Sequence, residues 1–255
     1  MTQPDQITQC HLCNYHGEMD ELDVSAMFKF RFVTNQKWKV CRSCDLVFRD
    51  EMLPEEVNEE YYEYQYREDL RPDGFPEAND IRIAYVRAQP QLAFLSNLQD
   101  KDKITVESMI DVGAGLGATL HYAKSRYFEG INRVLAVEKS QQSWPFLDFI
   151  GIPYVSDISE AEGQWDVMIA SHVVEHFRNP LDYVRDKMVP LIRPNGLLLV
   201  EVPNHTSTSA FSAAHLYAFK QETIGQLLTM AGLHVLMNTL VNNNKSILIA
   251  GRKGK

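Results

Sequence analysis

The sequence has no cysteine beyond position 44; its four cysteines sit at 10, 13, 41 and 44. No apolar run approaches the roughly 18 residues that a membrane-crossing helix needs, so membrane insertion is not expected. The stretch from Met1 to Cys10 has neither a basic start nor an apolar core. A secretory signal is therefore not expected, and the cytoplasm is the expected compartment. Basic residues are in deficit, 25 against 34 acidic ones, for a formal net charge of −9. Polyanion binding draws on Lys and Arg, which disfavours a general nucleic-acid or anionic-membrane binder. Internal repeats and low-complexity tracts are missing too. What remains is ordinary: 255 residues, 45% hydrophobic and 23% charged. That is enough apolar material for one large or two small packed domains, and it excludes a disordered chain.

The cysteines form two pairs, Cys10-His-Leu-Cys13 and Cys41-Arg-Ser-Cys44, with 27 residues between them. Each pair can present two thiolates to one tetrahedral zinc ion. The alternating run Met27–Val33, a turn at Thr34-Asn35-Gln36 and the return Lys37–Val40 predict a hairpin between the pairs. Residues 1–52 thus read as a small zinc ribbon. Disulfides would need an oxidising compartment, and a redox CxxC needs no second pair. His11 and His16 lie near enough to substitute as ligands, but four thiolates already close the shell. A closed shell predicts a structural role for the zinc.

Residues 53–100 read as a connector. Pro54, Pro72, Pro76 and Pro90 punctuate it, and Tyr61, Tyr62, Tyr64 and Tyr66 cluster within it. Such tyrosines pack one domain on another or offer an aromatic platform for a sugar or base. Helical spacing of apolar residues from Ile81 to Leu98 predicts a helix, with Pro90 as a kink or break.

Residues 101–255 alternate strand and helix. Strands are predicted over 104–112, 134–137, 153–155, 165–170, 196–202, 233–240 and 246–250. Helices are predicted over 116–127, 144–150, 180–192 and 219–231. This order specifies an α/β fold, a Rossmann-like doubly wound parallel sheet. Only Val241–Lys245 join the last two strands. A parallel crossover needs about a dozen residues, so this pair closes the sheet as an antiparallel hairpin.

Asp111-Val-Gly113-Ala-Gly115-Leu-Gly117 follows a strand and opens a helix, where glycines let a ligand approach the backbone closely. With Ala118 it also fits a dinucleotide pattern whose ribose-binding acid would be Glu138, 20 residues beyond Ala118. Three features weigh against a nicotinamide enzyme: Asp111 ahead of the loop, Asp157 after the third strand, and the terminal antiparallel hairpin. Together these residues resemble class I S-adenosylmethionine-dependent methyltransferases. The resemblance implies that Asp111, Gly113, Gly115 and Gly117 lie under the methionine part of the cofactor. It places Glu138 on the ribose, Asp157 by the adenine and Ser171 beside the cofactor. A four-cysteine ribbon, a Tyr-rich linker and such a domain are similar to methyltransferases of sugar and glycan biosynthesis. A small-molecule, sugar or glycan acceptor and direct SN2 transfer are then expected.

His172-Val-Val-Glu175-His176 also spells an inverted zinc-protease motif, but that motif needs a long helix, and Asn179-Pro180 cuts this one short. In the methyltransferase reading, the segment lies beside the transferable methyl. His172, Glu175 and His176 are then candidate catalytic residues, with Glu175 or His176 as general base. Some ubiquinone-type O-methyltransferases have a similar Glu-His pair near a divalent cation. His205, His215 and Tyr217 are candidate acceptor-binding residues, flanking a small, polar segment 206–214 that reads as a mobile lid. Two alternatives stay open. An RNA methyltransferase would use Lys29, Arg31, Lys37, Lys39 and Arg42 of the ribbon. A non-enzymatic zinc- or cofactor-binding module would use neither acceptor nor base.

Overall fold

A computed structural model describes residues 5–6, 8–27, 36–52, 76–102 and 104–255. Its centre is a seven-stranded sheet in the order β12-β13-β10-β9-β6-β7-β8. The strands are β6 (Ser108–Val112), β7 (Arg133–Val137), β8 (Tyr154–Val155), β9 (Trp165–Ser171), β10 (Ile192–Pro203), β12 (Leu233–Val241) and β13 (Ser246–Lys253). β6 to β10 run parallel, while β13 is antiparallel to both β10 and β12. The final hairpin thus does not merely append to the sheet: β13 inserts between β10 and β12. Its connector turns through Asn242, Asn243 and Asn244, all at positive φ near 52–64°. Asparagine tolerates that region better than most residues.

The strands are apolar on both faces because both are covered. On one face Ile110, Val112, Met168, Ala170, Leu198, Val200, Ile247 and Ile249 share a core with the helix Gln221–Met230. On the other, Met109, Val167, Ile169, Leu197, Leu199 and Leu248 meet Leu92, Leu95 and Leu98 of the helix α2 (Ala78–Asp102). The helix α2 continues through Pro90 without a break, contrary to the expected interruption. The helix expected over 116–127 begins α-helical, as α3 (Ala118–Tyr122), and widens to a π turn over Ala123–Tyr127.

The N-terminal unit is a separate sheet in the order β11-β4-β3-β2. It comprises β2 (Asp20–Leu22), β3 (Trp38–Val40), β4 (Val47–Arg49) and β11 (Tyr217–Ala218), while β1 (Asp5–Gln6) and β5 (Glu51–Met52) pair antiparallel as a two-stranded sheet. The strand β3 takes Asp20–Leu22 as its partner, and Val24–Met27 form a short helix, α1, where the expected hairpin began. Residues 28–35 of that hairpin and the four clustered tyrosines lie outside the described residues. β11 comes from the C-terminal half, so the two halves share one sheet and one core: Cys10, Leu12, Cys41, Leu46 and Phe48 join the same cluster as Ile110 and Val200. The expected lid is clamped against this unit. Phe211 meets Trp38 edge-on at 4.9 Å, and Gln36 and Arg49 both donate to the Ala213 carbonyl.

Candidate active site

At the carboxyl end of β6 the chain turns through Gly113, Gly115 and Gly117, all at positive φ (72°, 55° and 66°). Side chains rarely adopt this conformation. A Cβ on Gly113 would stand 2.3 Å from Val173 Cγ2, and one on Gly117 would stand 2.5 Å from Leu147 Cδ2. Glu138, at the end of β7, grips the loop: its carboxylate accepts from Gly115 N at 2.6 Å and from Ser140 N at 2.8 Å. Asp111 lies beneath, fully buried. Burial, and then the nearby Glu138 charge, push its carboxyl up to about 8. Asp157 caps the following turn by accepting from Ser159 N, and contacts with Ser159 and Lys139 outweigh burial to hold it below the usual carboxylate value.

These groups border a cavity of about 900 Å³, lined by Asp111, Gly113, Gly115, Glu138, Asp157, Ser171, His172 and His176 together. Gly117 is not in the lining; it serves the packing against Leu147. The rest of the wall is more apolar than polar: Ile83, Leu116, Val137, Ile158 and Val173 are interspersed with Arg87, Gln91, Arg178, Asn179 and Asp182, and the stacked pair Phe177–Tyr183 lies at 3.8 Å between ring centres.

His172 takes an uncommon φ of 55° as β9 ends, and Val174–His176 form one 3-10 turn. No long helix carries the two histidines, which excludes the protease geometry. His172 stands between two carboxylates, Nδ1 3.5 Å from Glu175 and Nε2 3.7 Å from Glu201. Burial alone would lower its ring, but these two acids outweigh it and push the ring up to about 9. This setting between two carboxylates favours the protonated ring. Glu175 is wholly buried behind the cavity wall and held ionised by the surrounding histidines in spite of its burial. His176 lines the cavity, with Nδ1 2.9 Å from the Ala214 carbonyl.

The three expected acceptor-binding residues lie off the cavity lining. His215 is buried behind His176, with ring centres 4.7 Å apart, and burial pushes its ring down to about 4. Tyr217 is enclosed, because its hydroxyl donates to the Arg178 carbonyl at 2.7 Å and receives His11 Nδ1. His205 sits beside Asn204 at 3.1 Å and takes no part in the wall. Other residues, not anticipated, do take part. Gln91 of α2 donates to Ser171 Oγ and to Glu201, both at 2.7 Å, tying the helix to two strand ends. His11, from within the first cysteine pair, reaches the cavity wall. Gln91 did carry a signal: it is a polar residue on the buried stripe Ala88, Leu92, Leu95. Glu201 is likewise a lone charge in the apolar run Leu197–Val202.

The four cysteines are thiols, with Cys10 Sγ and Cys44 Sγ 3.6 Å apart, and Cys13 Sγ and Cys41 Sγ also 3.6 Å apart. A disulfide would need about 2.05 Å. Four sulfurs around a tetrahedral zinc ion stand about 3.8 Å from one another, so the spacing suits such an ion.

A family model described as a methyltransferase domain matches residues 81–240. A comparison with curated proteins finds no match. Among solved structures, the chain is similar to Burkholderia thailandensis 1,6-didemethyltoxoflavin-N1-methyltransferase with bound S-adenosylhomocysteine. The TM-score is 0.59 at 18% identity, covering 89% of this chain and 99% of that one. It is similar to magnesium protoporphyrin IX methyltransferase of Synechocystis, with TM-score 0.56 at 12% identity, covering 79% and 100%. It is also similar to a Haloferax volcanii methyltransferase–activator complex, with TM-score 0.51 at 12% identity, covering 59% and 83%. At such identities these three speak to the fold. The family match spans more than half the chain, including the glycine loop and Glu138. The chain belongs to the methyltransferase-domain family, and it is a class I S-adenosylmethionine-dependent methyltransferase.

Proposed function

We propose that this enzyme methylates a hydroxyl-rich small molecule of the sugar or glycan class, by direct SN2 transfer, and that zinc organises its N-terminal ribbon. The observation that carries the reading is the cavity wall. One stretch offers the glycine loop, Glu138 and Asp157; another offers Arg87, Asn179, Arg178 and Asp182 as hydrogen-bonding groups beside stacked aromatic rings. Such a wall suits a polar, ring-shaped acceptor. S-adenosylmethionine, when bound, supplies an electrophilic methyl with a good leaving group. Glu138 would hold the ribose hydroxyls, Asp157 the adenine edge, and Asp111, the loop glycines and Ser171 the methionine part. The enzyme's remaining task is to align the acceptor and exclude water.

His172, Glu175 and His176 would form the activating group. His176 reaches the cavity, so it is the member placed to take a proton from an acceptor hydroxyl. His172, as an imidazolium, would orient an acceptor oxygen and neutralise the two buried carboxylates. His215 and Tyr217 support this group from behind: His215 backs His176, and Tyr217 anchors Arg178 and His11. His205 supports the adjoining turn. Cys10, Cys13, Cys41 and Cys44 would hold the zinc, and reduced thiols suit the cytoplasm. No helix among the described residues is long and apolar enough to cross a membrane. The RNA alternative loses support at the ribbon, where Arg42 is paired with Glu18 and Asp20, and Lys39 with Asp50.

The test is to incubate the enzyme with methyl-labelled S-adenosylmethionine and a panel of nucleotide sugars, glycosides, other hydroxylated metabolites and short RNAs. Label in a sugar-type product is expected. Label in RNA alone would refute the acceptor class.

A further inference from the structure

We propose that Glu201 is a positioning residue for methyl transfer, holding His172 and Gln91 in place from beneath the cavity floor. Glu201 lies in the apolar run of β10 and is 2% exposed. A buried carboxylate is a poor way to stabilise a strand, since a well-packed apolar residue of similar volume often serves as well or better. Its contacts lead to the cavity instead. Oε2 accepts from Gln91 Nε2 at 2.7 Å, Oε1 accepts from Asn242 Nδ2 at 2.9 Å, and Oε1 stands 3.7 Å from His172 Nε2. The Glu201 backbone carbonyl also accepts from His172 N, at 2.8 Å. One residue thus holds His172 at both main chain and ring. His172 needs that grip, because its φ is 55°. A side chain keeps such a backbone only where its surroundings over-determine it.

His172 and Gln91 both line the cavity, whereas Glu201 does not. Gln91 passes the constraint on. Its Nε2 also donates to Ser171 Oγ at 2.7 Å, and its Oε1 accepts from Thr119 Oγ1 at 3.3 Å. Ser171 and Thr119 are wall residues too, and Thr119 lies in the first turn of α3, just after the glycine loop. Glu201 therefore sits under four wall residues drawn from α2, α3 and the end of β9. Asn242 braces it from the far side. That residue belongs to the connector of the final hairpin, at φ 52°, and its Nδ2 also reaches Ser246 Oγ at 3.3 Å. The titratable groups around the His172 ring are Glu175 at 3.5 Å on its own segment and Glu201 on β10, with His176 and His215 gathered around Glu175. The two carboxylates stand at ion-pair distance from opposite ring nitrogens, which favours a proton on both and one orientation of the ring. That His172 acts on the acceptor rests on the activating-group reading above; that Glu201 sets its charge and orientation does not.

The test is NMR of histidine-labelled protein, saturated with S-adenosylhomocysteine, across a pH series. The His172 signal is the one lost in His172→Gln. Glu201→Gln keeps the shape and removes the charge. An opposite charge at this range raises a histidine by about 1–3 pH units, so the His172 midpoint should fall by about one unit or more. Glu201→Met should do the same if the amide variant fails to fold. On an acceptor that the native enzyme labels from methyl-labelled S-adenosylmethionine, turnover should fall roughly tenfold or more, as when an aligned group is displaced. A His172 midpoint unmoved in both variants would overturn the proposal. A shifted midpoint with undiminished turnover would overturn it too, leaving Glu201 an electrostatic neighbour only. Loss of S-adenosylhomocysteine binding in both folded variants would overturn it by assigning Glu201 to the cofactor.

Discussion

Replacing Glu138 with glutamine changes one atom and tests the cofactor clamp. The native carboxylate accepts from Gly115 N at 2.6 Å and Ser140 N at 2.8 Å, at 7% exposure. Glutamine has one acceptor oxygen, so its amide must face one of those N–H groups, donor against donor. Hydrogen bonds to a charged group contribute about 1.5–3 kcal/mol each, and a buried donor left bare costs about 1–3 kcal/mol. The clamp on the ribose weakens as the loop loosens, for a combined loss of about 2–4 kcal/mol in cofactor binding. At 1.4 kcal/mol per decade that is roughly 30- to 700-fold in Kd. Calorimetric titration with S-adenosylhomocysteine reads it directly. A change below about threefold, well under a single charged hydrogen bond, would refute the assignment of Glu138 to the cofactor.

Three further expectations follow from the same geometry. Gly113→Ala combines a positive φ, about 1–2 kcal/mol, with overpacking on Val173, about 1–3 kcal/mol; thermal melts should show Val173→Ala recovering only the second part. Burial, and then the Glu138 charge, push the Asp111 carboxyl up to about 8 in the fold, from an ordinary carboxylate value near 3.8. The fold then carries a proton that the unfolded chain has released, and stability falls as pH rises through that window. Asp111→Asn should flatten the fall in a melting series across pH 5–8, roughly the span between those two values, and an unchanged slope would remove Asp111 as its source. Cys41→Ser should release the ribbon's metal, measured by elemental analysis, while S-adenosylhomocysteine still binds; retained metal would refute the four-thiolate site.

The central sheet was legible because its signals are local. Short continuous apolar runs mark the buried strands, and a five-residue connector forbids a parallel crossover, which is enough to require the antiparallel partner. The glycine loop and Glu138 were legible for the same reason, being set by a strand end and a fixed spacing. What escaped depends on distant pairing. Tyr217 reads as a site residue from its neighbours, yet β11 pairs with β4, about 170 positions earlier in the chain, and that turns its ring inward. Trp38 and Phe211 have no sequence relation that reveals their contact. His11 looked like a spare zinc ligand, whereas the knuckle points it toward Tyr217. Gln91 and Glu201 broke the apolar pattern of their elements, and polar residues on buried stripes are the local trace such hubs leave.

The most direct test of the central claim is calorimetric titration of the intact protein with S-adenosylhomocysteine, with NAD as control ligand. One saturable site for the first, none for the second, and loss of that site in Glu138→Gln are the predicted results. Binding of NAD without S-adenosylhomocysteine would contradict the account and return the glycine loop to a dinucleotide role.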